Sequence, residues 1–106
     1  MMAEKVIRIR TMPGGWDSNN DPLPSTESSV EIRTLGIEPG LSEELAGLGR
    51  DGEQIEFTVY LRRGADVRNG DELKVRGDRF AVRVLDWKSP RTRRGGLVAL
   101  ASLGRG

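Results

Sequence analysis

The sequence contains no cysteine and no histidine. Without cysteine there is no disulfide, no thiolate metal ligand and no thiol nucleophile. Without histidine, the side chain that most often serves as general base or metal ligand near neutral pH is missing. Aromatic residues make up only 5% of the 106 residues, which leaves few rings for stacking on bases. No apolar run approaches the ~18 residues of a membrane-spanning helix. Charges at Glu4, Lys5, Arg8 and Arg10 interrupt the N-terminus, so no signal region and no membrane association are expected. Also missing are a nucleophile elbow, a phosphate-binding glycine loop and any metal-spaced cluster. Glu43 and Glu44 are adjacent and would point in different directions on a helix, unlike a catalytic pair. The expectation is a non-enzymatic protein with no cofactor and no metal.

What is present suits a single domain with a thin core, because hydrophobic residues are 36% of the chain and charged residues 31%. The net charge of +1 conceals a division. Residues 11–54 carry nine acidic and two basic side chains, whereas residues 55–106 carry six acidic and twelve basic ones. An interacting basic surface or subunits that meet head to tail would use such an asymmetry, and mutual neutralisation within one fold accounts for it equally.

Strand signals recur along the chain. Val6–Arg10 alternates apolar and basic residues, and Val30–Ile37 returns to alternation. In Ile55–Leu61 the side chains of Ile55, Phe57, Val59 and Leu61 share one face at period two. Asn69-Gly70 is a turn pair, and Asp71–Arg76 with Arg79–Asp86 predicts a hairpin around Gly77-Asp78. Leu73, Val75, Phe80, Val82 and Val84 are its inward set. Gly96–Leu103 is a last strand. Arg76-Gly77-Asp78 spells a cell-adhesion tripeptide, but the tight hairpin explains it fully. About six short strands with hardly any helix predict an all-β fold, a small closed β-barrel with two long loops.

Those loops occupy about a third of a chain that needs its residues for a core. Thr11–Ser29 is rich in Gly, Pro, Asn, Asp and Ser, which favour turns over ladders. Glu38–Glu53 has Leu41, Leu45 and Leu48 at roughly helical spacing, and Ser42–Leu48 suits one short helical turn capped by Ser42. Those leucines favour a docked or inserted segment. Beyond Trp87, the residues Lys88, Arg91, Arg93 and Arg94 form a basic cluster that suits DNA phosphates or an acidic partner, or equally a solvated hairpin tip.

An ordered series of short runs then carries a resemblance. Val59-Tyr60-Leu61, Gly64-Ala65-Asp66-Val67, Asn69-Gly70-Asp71, Val75-Arg76-Gly77, and Trp87 with Ser89-Pro90 and Gly96 occur in sequence. Asn20-Asp21-Pro22-Leu23-Pro24 and Gly49-Arg50 add to them. Over residues 6–104 the chain resembles the head-to-tail stopper (head closure) proteins of siphophages infecting actinobacteria. Leu61-Arg62-Arg63-Gly64 departs from the family, many of whose members have a proline after this strand.

The resemblance implies a virion protein made in the host cytoplasm. It would form a hexameric ring in the neck, below the adaptor ring on the portal and above the tail terminator. Packaged double-stranded DNA would pass through the lumen without being read, and a long loop would help retain it. Carried onto this chain, the gate candidate is Glu38–Glu53, with Glu38, Pro39, Leu41, Glu43, Glu44, Leu45, Arg50, Asp51 and Glu53. Acidic side chains there would repel phosphate during ejection, and the glycines at 36, 40, 47, 49 and 52 are permissive hinge points. Candidate ring or partner contacts are Trp16, Asp17, Asp21, Trp87, Lys88, Arg91, Arg93 and Arg94. The competing readings are another neck ring, such as the tail terminator, and an oligonucleotide-binding-type barrel. A mostly helical adaptor fits the strand pattern poorly.

Overall fold

A computed structural model describes residues 4–41, 54–88 and 95–103. They form seven β-strands: β1 (Lys5–Met12), β2 (Thr26–Arg33), β3 (Gly36–Pro39), β4 (Ile55–Arg62), β5 (Glu72–Val75), β6 (Asp78–Lys88) and β7 (Gly95–Ser102). All pair antiparallel in one sheet of order β2-β1-β5-β6-β7-β4-β3, and no helix occurs among the described residues. The all-β expectation is met. The expected closed ladder is not seen, because the hydrogen-bonded order is open and β2 and β3 are its two ends.

A seventh strand arises because the alternating run Val30–Ile37 belongs to two strands. Thr34 and Leu35 turn the chain from one end of the ladder to the other. The Thr34 amide and hydroxyl both donate to the Glu4 carbonyl, at 2.9 and 2.8 Å, and hold the corner to the start of β1. The next amide, Leu35 N, donates to Tyr60 O of β4 at 2.7 Å. Two residues therefore join opposite ends of a seven-stranded order, which is possible only if the sheet curls back on itself. The packing agrees: Ile32 of β2 and Ile37 of β3 both lie against the same core.

That core lines the inside of the curl. Val6, Val59, Leu61, Leu73, Val75, Phe80, Val82, Ala99 and Ala101 come from five strands, and Val67 from the β4–β5 connection. Phe57 and Phe80 meet edge to face, with centroids 5.4 Å apart and planes at 77°. The inward set read from β5 and β6 is correct, with Val84 only partly buried.

In β4 the alternation is broken at its first residue. The register shifts between Ile55 and Phe57, so Ile55 joins the opposite face, where it packs with Tyr60, Leu85 and Leu41 around Val98 and Leu100. Strand β7 is consequently buried on both faces, which explains its unbroken apolar stretch from Leu97 to Ala101.

The β5–β6 hairpin turns one residue earlier than expected. Val75 pairs with Asp78, leaving Arg76 and Gly77 at the tip with φ of 51° and 94°. Two positive φ values in succession define the tight turn that matches strand twist, and only glycine takes the second without strain.

Candidate interaction site

The loop between β1 and β2 is an ordered tongue with a built-in frame. At its base Gly14 lies so close to the other limb that a Cβ there would sit 2.1 Å from the Pro24 carbonyl oxygen. The Leu23 amide donates to Gly15 O at 2.9 Å, and Trp16 bridges to Pro22. At the tip, the Asp17 carboxylate Oδ1 accepts from the amides of Asn19 and Asp21, both at 2.9 Å. Asn20 takes the left-handed conformation at φ 65°, which asparagine tolerates. Composition alone could not separate this arrangement from a floppy loop. The tongue carries Trp16 at 66% exposure, an exposed Leu23, and two exposed carboxylates, Asp17 and Asp21.

The β4–β5 connection, residues 63–71, is fixed against β1 by arginine–carboxylate pairing. Arg10 makes a two-pronged contact with Asp71, Nε to Oδ1 and Nη2 to Oδ2, each 2.8 Å. It also donates from Nη2 to Asp66 Oδ1 at 3.1 Å. Asp71 is nearly buried and further accepts from the Arg68 amide at 3.0 Å. These bonds, led by the one from Arg10, hold the Asp71 and Asp66 carboxyls below the usual carboxylate range. Farther along the connection, Asn69 Oδ1 accepts from the Val84 amide at 2.7 Å.

Arg8, one register step inside, is only 6% exposed. Its Nη1 donates to the Asp66 carboxylate at 2.7 Å and to the Asp66 carbonyl at 3.2 Å. Its buried Nε has no acceptor. Such a donor is uncommon in a settled interior.

Beside Arg8 opens a cleft of about 580 Å³ between β2 and the residues that follow β4. Val30, Ile32 and Ala65 supply its apolar lining, and Arg33, Arg62 and Arg63 are exposed on it. Val30 is 45% exposed although its strand neighbour Ile32 packs on the core. None of Arg33, Arg62 and Arg63 makes an ion pair among the described residues. Sequence reasoning did not single these arginines out. The missing information was Arg33 and Arg8, which only the fold brings alongside.

Among the described residues one ion pair, Arg79 with Glu27, joins the acidic 11–54 segment to the basic 55–106 segment, and the others involve residues 4–10 or stay within 55–106. Lys5 pairs with Glu31 at 3.2 Å, Arg76 with Glu4 at 2.9 Å, and Arg79 with both Glu27 and Glu72. The tongue carboxylates and the cleft arginines remain outside this pairing.

The expected gate segment is only partly described. Glu38 and Pro39 stand in β3 opposite Thr58 and Phe57. Gly40 caps the strand: its amide donates to Glu56 O at 2.8 Å, and its carbonyl accepts from Thr58 Oγ1 at 2.7 Å. Leu41 packs against Val98 and Leu100, whereas Leu45 and Leu48 lie outside the described residues. The expected helical turn at Ser42–Leu48, and Glu43, Glu44, Leu45, Arg50, Asp51 and Glu53, lie outside the described residues. Of the basic group, Trp87 and Lys88 end β6 opposite Gly96 and Gly95, whereas Arg91, Arg93 and Arg94 lie outside the described residues. No group of three or more carboxylates that could hold a metal ion occurs among the described residues. No protein-family model matches this chain, and no curated protein matches it.

Proposed function

We propose that this chain is a structural subunit of a siphophage neck, the head-to-tail stopper. It assembles as a ring between the portal-bound adaptor and the tail terminator, through which double-stranded DNA passes. The reading is carried by the ordered resemblance over residues 6–104, joined to an all-β sheet whose long excursions leave from strand ends. The segment Thr26–Pro39 acts as one bent strand that pairs with β1 and then with β4, so that chain continuity at Thr34-Leu35 closes a six-sided barrel. A ring needs two different complementary faces on each subunit. The gate of this reading is the segment Glu38–Glu53.

The test is electron microscopy of intact virions with an antibody raised against the chain. Label at the head–tail junction is the expected result. Label at the distal tail, or absence of the chain from purified virions, overturns the assignment. A DNA affinity that falls steeply with salt would favour the oligonucleotide-binding reading in its place.

A further inference from the structure

We infer that the contact between neighbouring copies is made by the acidic tongue of one chain seated in the arginine-lined cleft of the next. The inference rests on the ring reading and specifies its interface.

The two surfaces complement each other in charge and in polarity. The tongue offers Asp17 and Asp21 around an exposed indole, Trp16, with Leu23 beside it. The cleft offers Arg33, Arg62 and Arg63, without ion pairs among the described residues, around Val30 and Ile32, while its two carboxylates, Glu31 and Asp66, are engaged by Lys5 and by Arg8 and Arg10. Arg8, in the same wall, is nine-tenths buried and has a donor without an acceptor. An exposed indole suits an interface anchor because the ring supplies buried area, and complementary charges around it fix the register.

The occupant must be a second copy, for a geometric reason. The tongue joins β1 and β2 at Met12 and Thr26, whereas the cleft uses Arg8 and residues 30–33 of the same two strands. Four to seven residues of extended β2 separate them, roughly 13–23 Å at the usual rise. Tongue and cleft therefore stand toward opposite ends of one rigid ribbon, and the tongue cannot fold back into its own cleft. A surface at one end that fits a surface at the other generates a head-to-tail chain of subunits, which closes if each step turns by a fixed angle. The frame of the tongue supports this use. Gly14, Asp17 and the Trp16–Pro22 bridge preorganise it, so little conformational freedom is lost on docking.

Two exposed-site variants of the full chain test the inference: a tongue variant, Trp16→Ala with Asp21→Lys, and a cleft variant, Arg62→Glu with Arg63→Glu. Circular dichroism melts establish that both fold. Sedimentation velocity is then run on each alone and on an equimolar mixture. Each variant alone should associate at least about 30-fold more weakly than wild type, the loss expected for an interface anchor. The mixture should give a dimer and nothing larger, because only one intact tongue and one intact cleft remain in each pair. Variants that assemble like wild type overturn the inference and leave the ring reading standing, as does a mixture that forms no dimer while wild type assembles. A wild-type chain that stays monomeric at its highest soluble concentration removes the inference and the self-assembling ring together.

Discussion

Asp71 shows how one residue organises a connection with little regular structure. It is almost fully buried, takes two hydrogen bonds from Arg10, and takes a third from the amide of Arg68. Replacing it by alanine leaves the Arg68 amide and Arg10 Nε without an acceptor and Arg10 Nη2 with Asp66 alone, so Asp71→Ala should lower stability by about 2 kcal/mol. Asp71→Asn, which keeps one acceptor oxygen, should lose less. Urea unfolding followed by circular dichroism measures both. The same carboxyl predicts a pH dependence. Asp71 and Asp66 titrate below their ordinary value in the folded chain because of Arg10. Their stabilisation is therefore complete above the ordinary carboxylate range and is lost as pH falls through it. The melting temperature should hold from pH 7 to about 5 and drop below about 4. A melting temperature that rises on acidification would contradict the pairing.

Phe80 is a second residue-scale test. It fills the centre of the curl against Phe57, and Arg76 stands over the Phe57 ring at 5.3 Å. Phe80→Ala should cost about 3–5 kcal/mol, a large part of the stability of a domain this small, and the urea midpoint should fall accordingly.

Among the elements, β7 is held most tightly. Leu97–Ala101 lies between β6 and β4, with both faces covered. At Gly96 the backbone approaches β4 so closely that a Cβ would sit 2.4 Å from the Leu61 carbonyl oxygen. That contact is with backbone, which cannot rotate away. Gly96→Ala should therefore displace the β4–β7 pairing and cost about 1–3 kcal/mol, read as a lower melting temperature. By contrast, β2 pairs only with β1 and has mostly exposed residues. Hydrogen exchange should be slowest at Val98–Ala101 and at Val59, and much faster along β2. Equal protection of β2 and β7 would mean that another element covers the free edge of β2.

At the scale of the whole molecule, two short links decide the shape. Thr34-Leu35 carries the chain between the ends of the strand order, and residues 63–71 are tied by Arg10 and Arg8 to β1. Together they turn a linear succession of antiparallel pairs into a curled sheet around one core. The curl also leaves the cleft beside Arg8, because β2 has no strand on its far side to fill that space.

The alternation of apolar residues was enough to locate five strands and most of the core. A strand with one buried face must repeat at period two, and that rule needs no partner. The same rule misassigned Ile55, because a register shift is a property of the pair β4–β7 and has no signature in either strand alone. It also merged β2 and β3, since the bend at Thr34 depends on acceptors from Glu4 and Tyr60, far away in sequence. Trp16, Asp17 and Asp21 could be marked from the sequence as contacts because they stand in a polar loop, but their fixed arrangement depends on a crossing at Gly14 that composition does not encode. The cleft was not visible at all. Arg8, Arg33, Arg62 and Arg63 come from three separate stretches, and their convergence is a consequence of pairing order, which only the tertiary structure determines.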